Sequence, residues 1–155
     1  MAQGLAIPAH PLTGEGPAVA PRHAGGMNCD DPLARYEQYL SACNRHALAE
    51  IGDFLAPEIC VNGEVKTAEA YAADLARLFE VFPDYHWRLV RTVVQDAWLA
   101  VHLHDSGTRT RRFLGAPADG ARVSTDEFAM YHFDQDGRID HVEVTADNAR
   151  LAAPK

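Results

Sequence analysis

RVSTDEFAMYHFDQDGRIDHVEVT, residues 122–145, is the stretch that decides the fold. Arg122 to Phe133 alternates with the period of two of a strand. Asp134-Gln135-Asp136-Gly137 is a hairpin turn, and Arg138 to Thr145 is the returning strand. Pairing Phe133 with Ile139 across the turn sets Tyr131 opposite His141, Ala129 opposite Glu143 and Glu127 opposite Thr145. Parity then gathers Glu127, Tyr131, His141 and Glu143 on one side, with Asp147 beyond them. The other side carries Phe128, Met130, Val142 and Val144, with His132 opposite Asp140 near the turn. A sheet that is apolar on both sides is covered on both. Helices of the same chain can cover one side. A second copy, in a two-fold homodimer, is the simplest cover for the outer face.

The alternation extends back to Pro83. His86 to Val94 and Ala97 to His104 are strands joined at Gln95-Asp96, Thr108 to Phe113 is a third, and Gly115-Ala116-Pro117 with Asp119-Gly120 is a loop. Before Pro83 the period is helical. Asp31-Pro32 is a capping carboxylate followed by proline at the first helical position, and Leu33, Tyr36, Leu40, Cys43 and Ala47 recur behind it. A short helix with Leu48, Ile51 and Leu55 on one face ends at Pro57. Ile59-Cys60-Val61 is a short strand closed by the Asn62-Gly63 turn. Thr67 caps a third helix with the stripe Tyr71, Leu75, Leu78, Phe79 and Phe82. Helices first, an antiparallel meander after, and no β-α-β alternation make an α+β fold.

A chain of 155 residues has room for one domain with a proper core. Fifteen of the first 26 residues are Gly, Ala or Pro, which bury too little surface to offset their ordering entropy. Residues 1–28 are therefore expected to be a disordered tail and 29–152 the domain, with Met27 an alternative start. No basic segment precedes an apolar run, as a signal peptide requires, and no run is long enough to span a bilayer. A net charge of −8 disfavours nucleic acid and anionic membrane surfaces as partners. Cys29, Cys43 and Cys60 are odd in number and lack C-x-x-C spacing, so they read as reduced thiols of a cytoplasmic protein.

From Tyr36 onward the chain resembles the SnoaL-like polyketide cyclase and ester cyclase branch of the nuclear transport factor two-like superfamily. The residues that carry the likeness are Tyr39-Leu40-Ser41-Ala42-Cys43-Asn44, Asn62-Gly63, Phe82-Pro83-Asp84-Tyr85-His86-Trp87 and Phe113-Leu114-Gly115-Ala116-Pro117 with Asp119-Gly120. The final hairpin and Asp147 complete it. Four positions depart from the pattern: Asp119 replaces a usual Thr, Arg109 a frequent His and Glu143 a frequent Trp, and His141 stands near a frequent Glu. The resemblance implies a cone-shaped curved sheet, mixed or antiparallel, wrapped on about three N-terminal helices. It also implies a pocket at the wide end and acid–base chemistry on a small molecule without metal or cofactor, of the kind used in secondary metabolism.

Such chemistry needs a carboxyl or imidazole titrating near neutrality beside the substrate. Glu127, His104 and His141 are the candidate catalytic residues, with Asn44, Asn62, Trp87, His102, Tyr131, Glu143 and Asp147 as candidate substrate contacts. Asn44 and Asn62 could equally satisfy nearby backbone. His102 and His104, two apart on one strand face, raise the question of zinc, but no third ligand stands at a clear spacing. Arg109, Arg111 and Arg112 read as a solvated edge strand, with an anion-attracting collar as the other possibility. The leading reading is proton transfer on a carbonyl compound: aldol cyclisation, isomerisation or hydration. The rivals are a non-catalytic binding or dimerisation module and an epoxide hydrolase, which would need an Asp–Arg–Asp set around a water.

Overall fold

The computed structural model describes residues 31–153, so the expected tail and Cys29 lie outside the described residues. A curved six-stranded sheet packs its inner face against two main helices, in the order β2-β1-β6-β5-β4-β3. Helix α1, Pro32–Asn44, begins at Asp31, whose carboxylate accepts from the Leu33 amide, with proline in the first turn. Helix α2, Leu48–Ile51, is a single turn followed by a 3-10 turn at Gly52–Phe54. Strand β1, Leu55–Val61, turns at Asn62-Gly63 into β2, Glu64–Thr67. Thr67 then caps helix α3, Ala68–Val81, by accepting from the Ala70 amide.

Strands β3, His86–Gln95, and β4, Trp98–Thr108, form an antiparallel hairpin. Strands β5, Arg122–Phe133, and β6, Ile139–Ala146, form the second, and the one-turn helix α4, Asn148–Leu151, ends the fold. Strand β1 joins β6 in parallel, which makes the sheet mixed. The inner face buries Leu99, Val101 and Leu103 of β4 with Ala129, Tyr131 and Phe133 of β5.

Three expectations fail here. Leu55 belongs to β1, opposite Ile139, rather than to a helix running to Pro57. Pro57, which has no amide to donate, falls where the β1–β6 register shifts. Thr108 to Phe113 is not a strand. Strand β4 itself runs to Thr108, and the chain then turns through Leu114 and Gly115, both at positive φ. Gly107 allows this longer strand, because a Cβ there would lie 3.0 Å from the Phe82 Cβ and 3.1 Å from the Tyr85 ring.

The third failure is the register of the last hairpin. Phe133 pairs with Ile139 as expected, but His132 then pairs with His141, leaving Asp140 as an extra residue. This bulge reverses the parity of the rest of β6. Tyr131 faces Val142, Ala129 faces Val144 and Glu127 faces Ala146. Val142 is buried on the inner face, while His141 and Glu143 lie on the outer face beside Met130 and His132.

Arg109 is the most buried cation among the described residues. It has no solvent exposure and donates to the Pro117, Leu151 and Ala153 carbonyls and to both oxygens of Asp119. It ties the 115–120 loop and α4 to the end of β4. Neither a solvated edge nor an anion collar describes it. Arg111 does lie on the surface, paired with Glu80.

Candidate active site

Between the inner face of the sheet and helices α1 and α3 lies a cavity of about 170 Å³. All five tyrosines of the chain line it: Tyr36, Tyr39, Tyr71, Tyr85 and Tyr131. Helix spacing brings Tyr36 and Tyr39 to it from α1, and strand parity brings Glu127 and Tyr131 from β5. Trp87, on β3, stands edge-on to Tyr85 with ring centroids 4.6 Å apart. Lys66 and Asp74, 3.0 Å apart, are the only oppositely charged side chains paired along its lining among the described residues.

Glu127 is the carboxyl of the cavity wall. Burial pushes its pKa well above the usual carboxylate range, and the neighbouring Asp105 pushes it further, while the Trp87 side chain partly offsets both. Asp105, two residues along the inner face of β4 from Leu103, has no exposure at all. Burial raises its pKa to about 6, and contacts with the Tyr85 hydroxyl, 3.2 Å away, and with Glu127 hold it from going higher. Asp105 Oδ1 meets no donor among the described residues so long as both carboxyls are ionised. A proton on Glu127 supplies that donor. Two carboxyls raised together in this way can share one proton between them.

Of the expected site residues, the structure brings Glu127, Trp87 and Tyr131 to the cavity. Asn44 and Asn62 serve backbone. Asn44 donates to the Trp87 carbonyl and accepts from the Trp87 amide, each at 2.9 Å, which fastens α1 to β3. Asn62 does the same to Val144, extending the β1–β6 pairing. Asp147 precedes α4 with an exposed carboxylate 3.7 Å from Arg150.

His102, His104, His141 and Glu143 stand on the outer face, across the sheet from the cavity. His102 and His104 share Asp126 Oδ1, at 3.1 and 3.4 Å, and His141 lies 2.9 Å from Glu143. The β4 histidines follow the parity opposite to Leu103, and the bulge at Asp140 places the β6 pair there as well. No group of three or more His, Cys, Asp or Glu among the described residues could hold a metal ion. Arg150 does reach both Asp126, at 3.5 Å, and Asp147, at 3.7 Å. That Asp–Arg–Asp set lies on the exposed rim, and none of its members lines the cavity.

Asp105 was not among the expected residues. Its signal is the alternation Leu99, Val101, Leu103, Asp105, which breaks off if the strand is ended at His104. Cys43 also lines the cavity, where burial pushes its thiol up to about 12 and makes a nucleophilic thiolate unfavourable.

A helix-backed curved sheet enclosing an aromatic cavity with a buried acid pair defines a class of small-molecule-binding α+β proteins. The SnoaL-like polyketide cyclase model matches residues 34–153, and the chain belongs to that family. Among solved structures, a SnoaL-like polyketide cyclase from Agrobacterium tumefaciens is 26% identical, with a TM-score of 0.72 over 79% of this chain and 95% of that one. IdmH from Streptomyces antibioticus, described as a candidate polyketide cyclase, is 19% identical with a TM-score of 0.71 over 79% and 96%. AclR from Streptomyces galilaeus, described as a candidate hydroxylase, is 18% identical with a TM-score of 0.69 over 77% and 91%. No curated protein matches the chain. No helix of the described residues is long and apolar enough to cross a membrane.

Proposed function

We propose that this chain is a cofactor-independent acid–base enzyme that moves a proton on a small carbonyl compound held in the tyrosine-lined cavity. The observation that carries this is the Asp105–Glu127 pair, two carboxyls with raised pKa values, Glu127 at the wall of an apolar space and Asp105 fully buried behind it. Such a pair can give a proton to the substrate and take one back near neutral pH. Glu127 faces the reacting atoms, and Asp105 behind it takes up and returns the second proton. The bond made or broken afterwards (an aldol ring closure, an isomerisation or a hydration) depends on the substrate.

The test is exchange of the protons next to a ketone carbonyl for deuterium, followed by NMR with cyclohexanone, acetophenone and 1-indanone. Wild type exchanges them faster than buffer, and Glu127→Gln lowers that rate by about 100-fold or more. Exchange that survives Glu127→Gln and disappears with His141→Ala refutes the reading. Ketone binding without exchange in wild type favours the binding-module alternative.

Two further parts of the proposal concern setting and assembly. Cys43 and Cys60 as free thiols support a cytoplasmic location. Exposed Phe128, Met130 and Val93 on the outer face support a two-fold homodimer, which a sedimentation run showing only monomer at high concentration overturns.

A further inference from the structure

One polar atom of the cavity has no use in the fold. Tyr36 is completely buried on α1 and lines the cavity, yet its hydroxyl has no hydrogen-bond partner among the described residues. The Glu127 charge raises its pKa and the polar Tyr131 side chain, with its ring centroid 4.8 Å away, lowers it, but no hydrogen bond of ordinary length and angle is completed to the hydroxyl. The hydroxyls of Tyr39 and Tyr71, by contrast, satisfy each other at 2.9 Å. A buried donor left unpaired costs stability, and where such a cost persists at a cavity it points to a ligand group that pairs with it.

We infer that Tyr36 is the hydrogen-bond donor that receives the substrate's carbonyl oxygen, and that the substrate is a one- or two-ring ketone or enone. The inference rests on the acid–base reading and adds the group that holds the oxygen. Size sets the ring number: the cavity of about 170 Å³ is close to the roughly 150 Å³ apolar cavity that takes benzene. The aromatic lining, with Trp87 and the remaining tyrosines, suits a flat unsaturated molecule. In the reaction a C–H bond next to the carbonyl breaks and its proton passes to Glu127 while the proton shared by the pair settles on Asp105, so the pair's negative charge is neutralised as the substrate gains one. The electron pair moves to the carbonyl oxygen as an enolate, and the Tyr36 O–H donates to that oxygen. No other reactant is needed for the balance.

The probe is 1-indanone carrying carbon-13 at the carbonyl, observed by difference infrared spectroscopy and by titration. In wild type the carbonyl band lies at lower wavenumber than in an apolar solvent. Tyr36→Phe, which keeps the ring and only removes the hydroxyl, returns the band toward that solvent position and weakens binding by about fivefold to tenfold. Tyr39→Phe leaves the band where it is. A band unmoved by Tyr36→Phe, a band lost instead with Tyr39→Phe, or no binding of 1-indanone overturns the inference. An unmoved band together with Glu127-dependent deuterium exchange overturns the role of Tyr36 and leaves the acid–base reading standing. A band that moves with Tyr36 in a protein performing no exchange supports the oxygen site and overturns the proton transfer.

Discussion

Asp105→Asn replaces a fully buried carboxyl by an amide of the same shape, with an oxygen for the Tyr85 hydroxyl and an N–H to offer Glu127. The folded protein holds the Asp105 proton more tightly than the unfolded chain does, with a pKa of about 6 against 3.8. Stability from this group is thus fully present below about pH 4 and is lost as pH rises through about 6. A shift of about two units corresponds to about 3 kcal/mol. With no exposure of the side chain, no discount for solvent screening applies. The raised pKa of Glu127 acts in the same direction and extends the loss to higher pH. Urea denaturation of wild type and Asp105→Asn from about pH 4 to pH 8 reads this directly. The two are expected to converge at the acid end, with the variant ahead at pH 8 by up to about 3 kcal/mol, or roughly 10 °C in melting temperature. Parallel stability curves across that range would refute the account of a buried pair that shares one proton.

Arg109→Met strips the donors from Asp119 and from three carbonyls, and a loss of about 3–5 kcal/mol in urea denaturation is expected. Arg109→Lys recovers little of it, since one ammonium cannot span those acceptors. Gly107→Ala drives a methyl against Phe82 and Tyr85 and costs about 1–3 kcal/mol, seen as a lower melting temperature.

Much of the fold was legible because its signals are local. Asp31-Pro32 and Thr67 start helices by capping, which neighbours alone determine. The inner parity of β5 followed from Glu127, Ala129, Tyr131 and Phe133, and it delivered Glu127 to the cavity. The side of β6 did not follow, because a bulge is a property of the pairing. Its trace was present in the apolar spacing Ile139, Val142, Val144, three residues and then two. Asp105 was missed because a charged residue before Ser106-Gly107 looks like the start of a loop, whereas Gly107 serves close packing inside a strand. The role of Arg109 was hidden for a different reason. Its partners lie up to 44 residues away along the chain, and no local pattern announces them.

The bulge at Asp140 also bears on how residue roles are inherited. Two relatives can match letter for letter along this strand and still present opposite sets of side chains to their ligands if one pairs through the bulge and the other pairs without it. Pairing the same residues without the bulge, with Asp140 opposite His132, would turn His141 and Glu143 toward the cavity and Val142 and Val144 outward. A one-residue slip in pairing is a small structural event, yet here it would exchange an apolar wall for an imidazole and a carboxylate. Families built on this hairpin thus have a route to new chemistry that needs no substitution, and matching columns in an alignment do not guarantee matching faces.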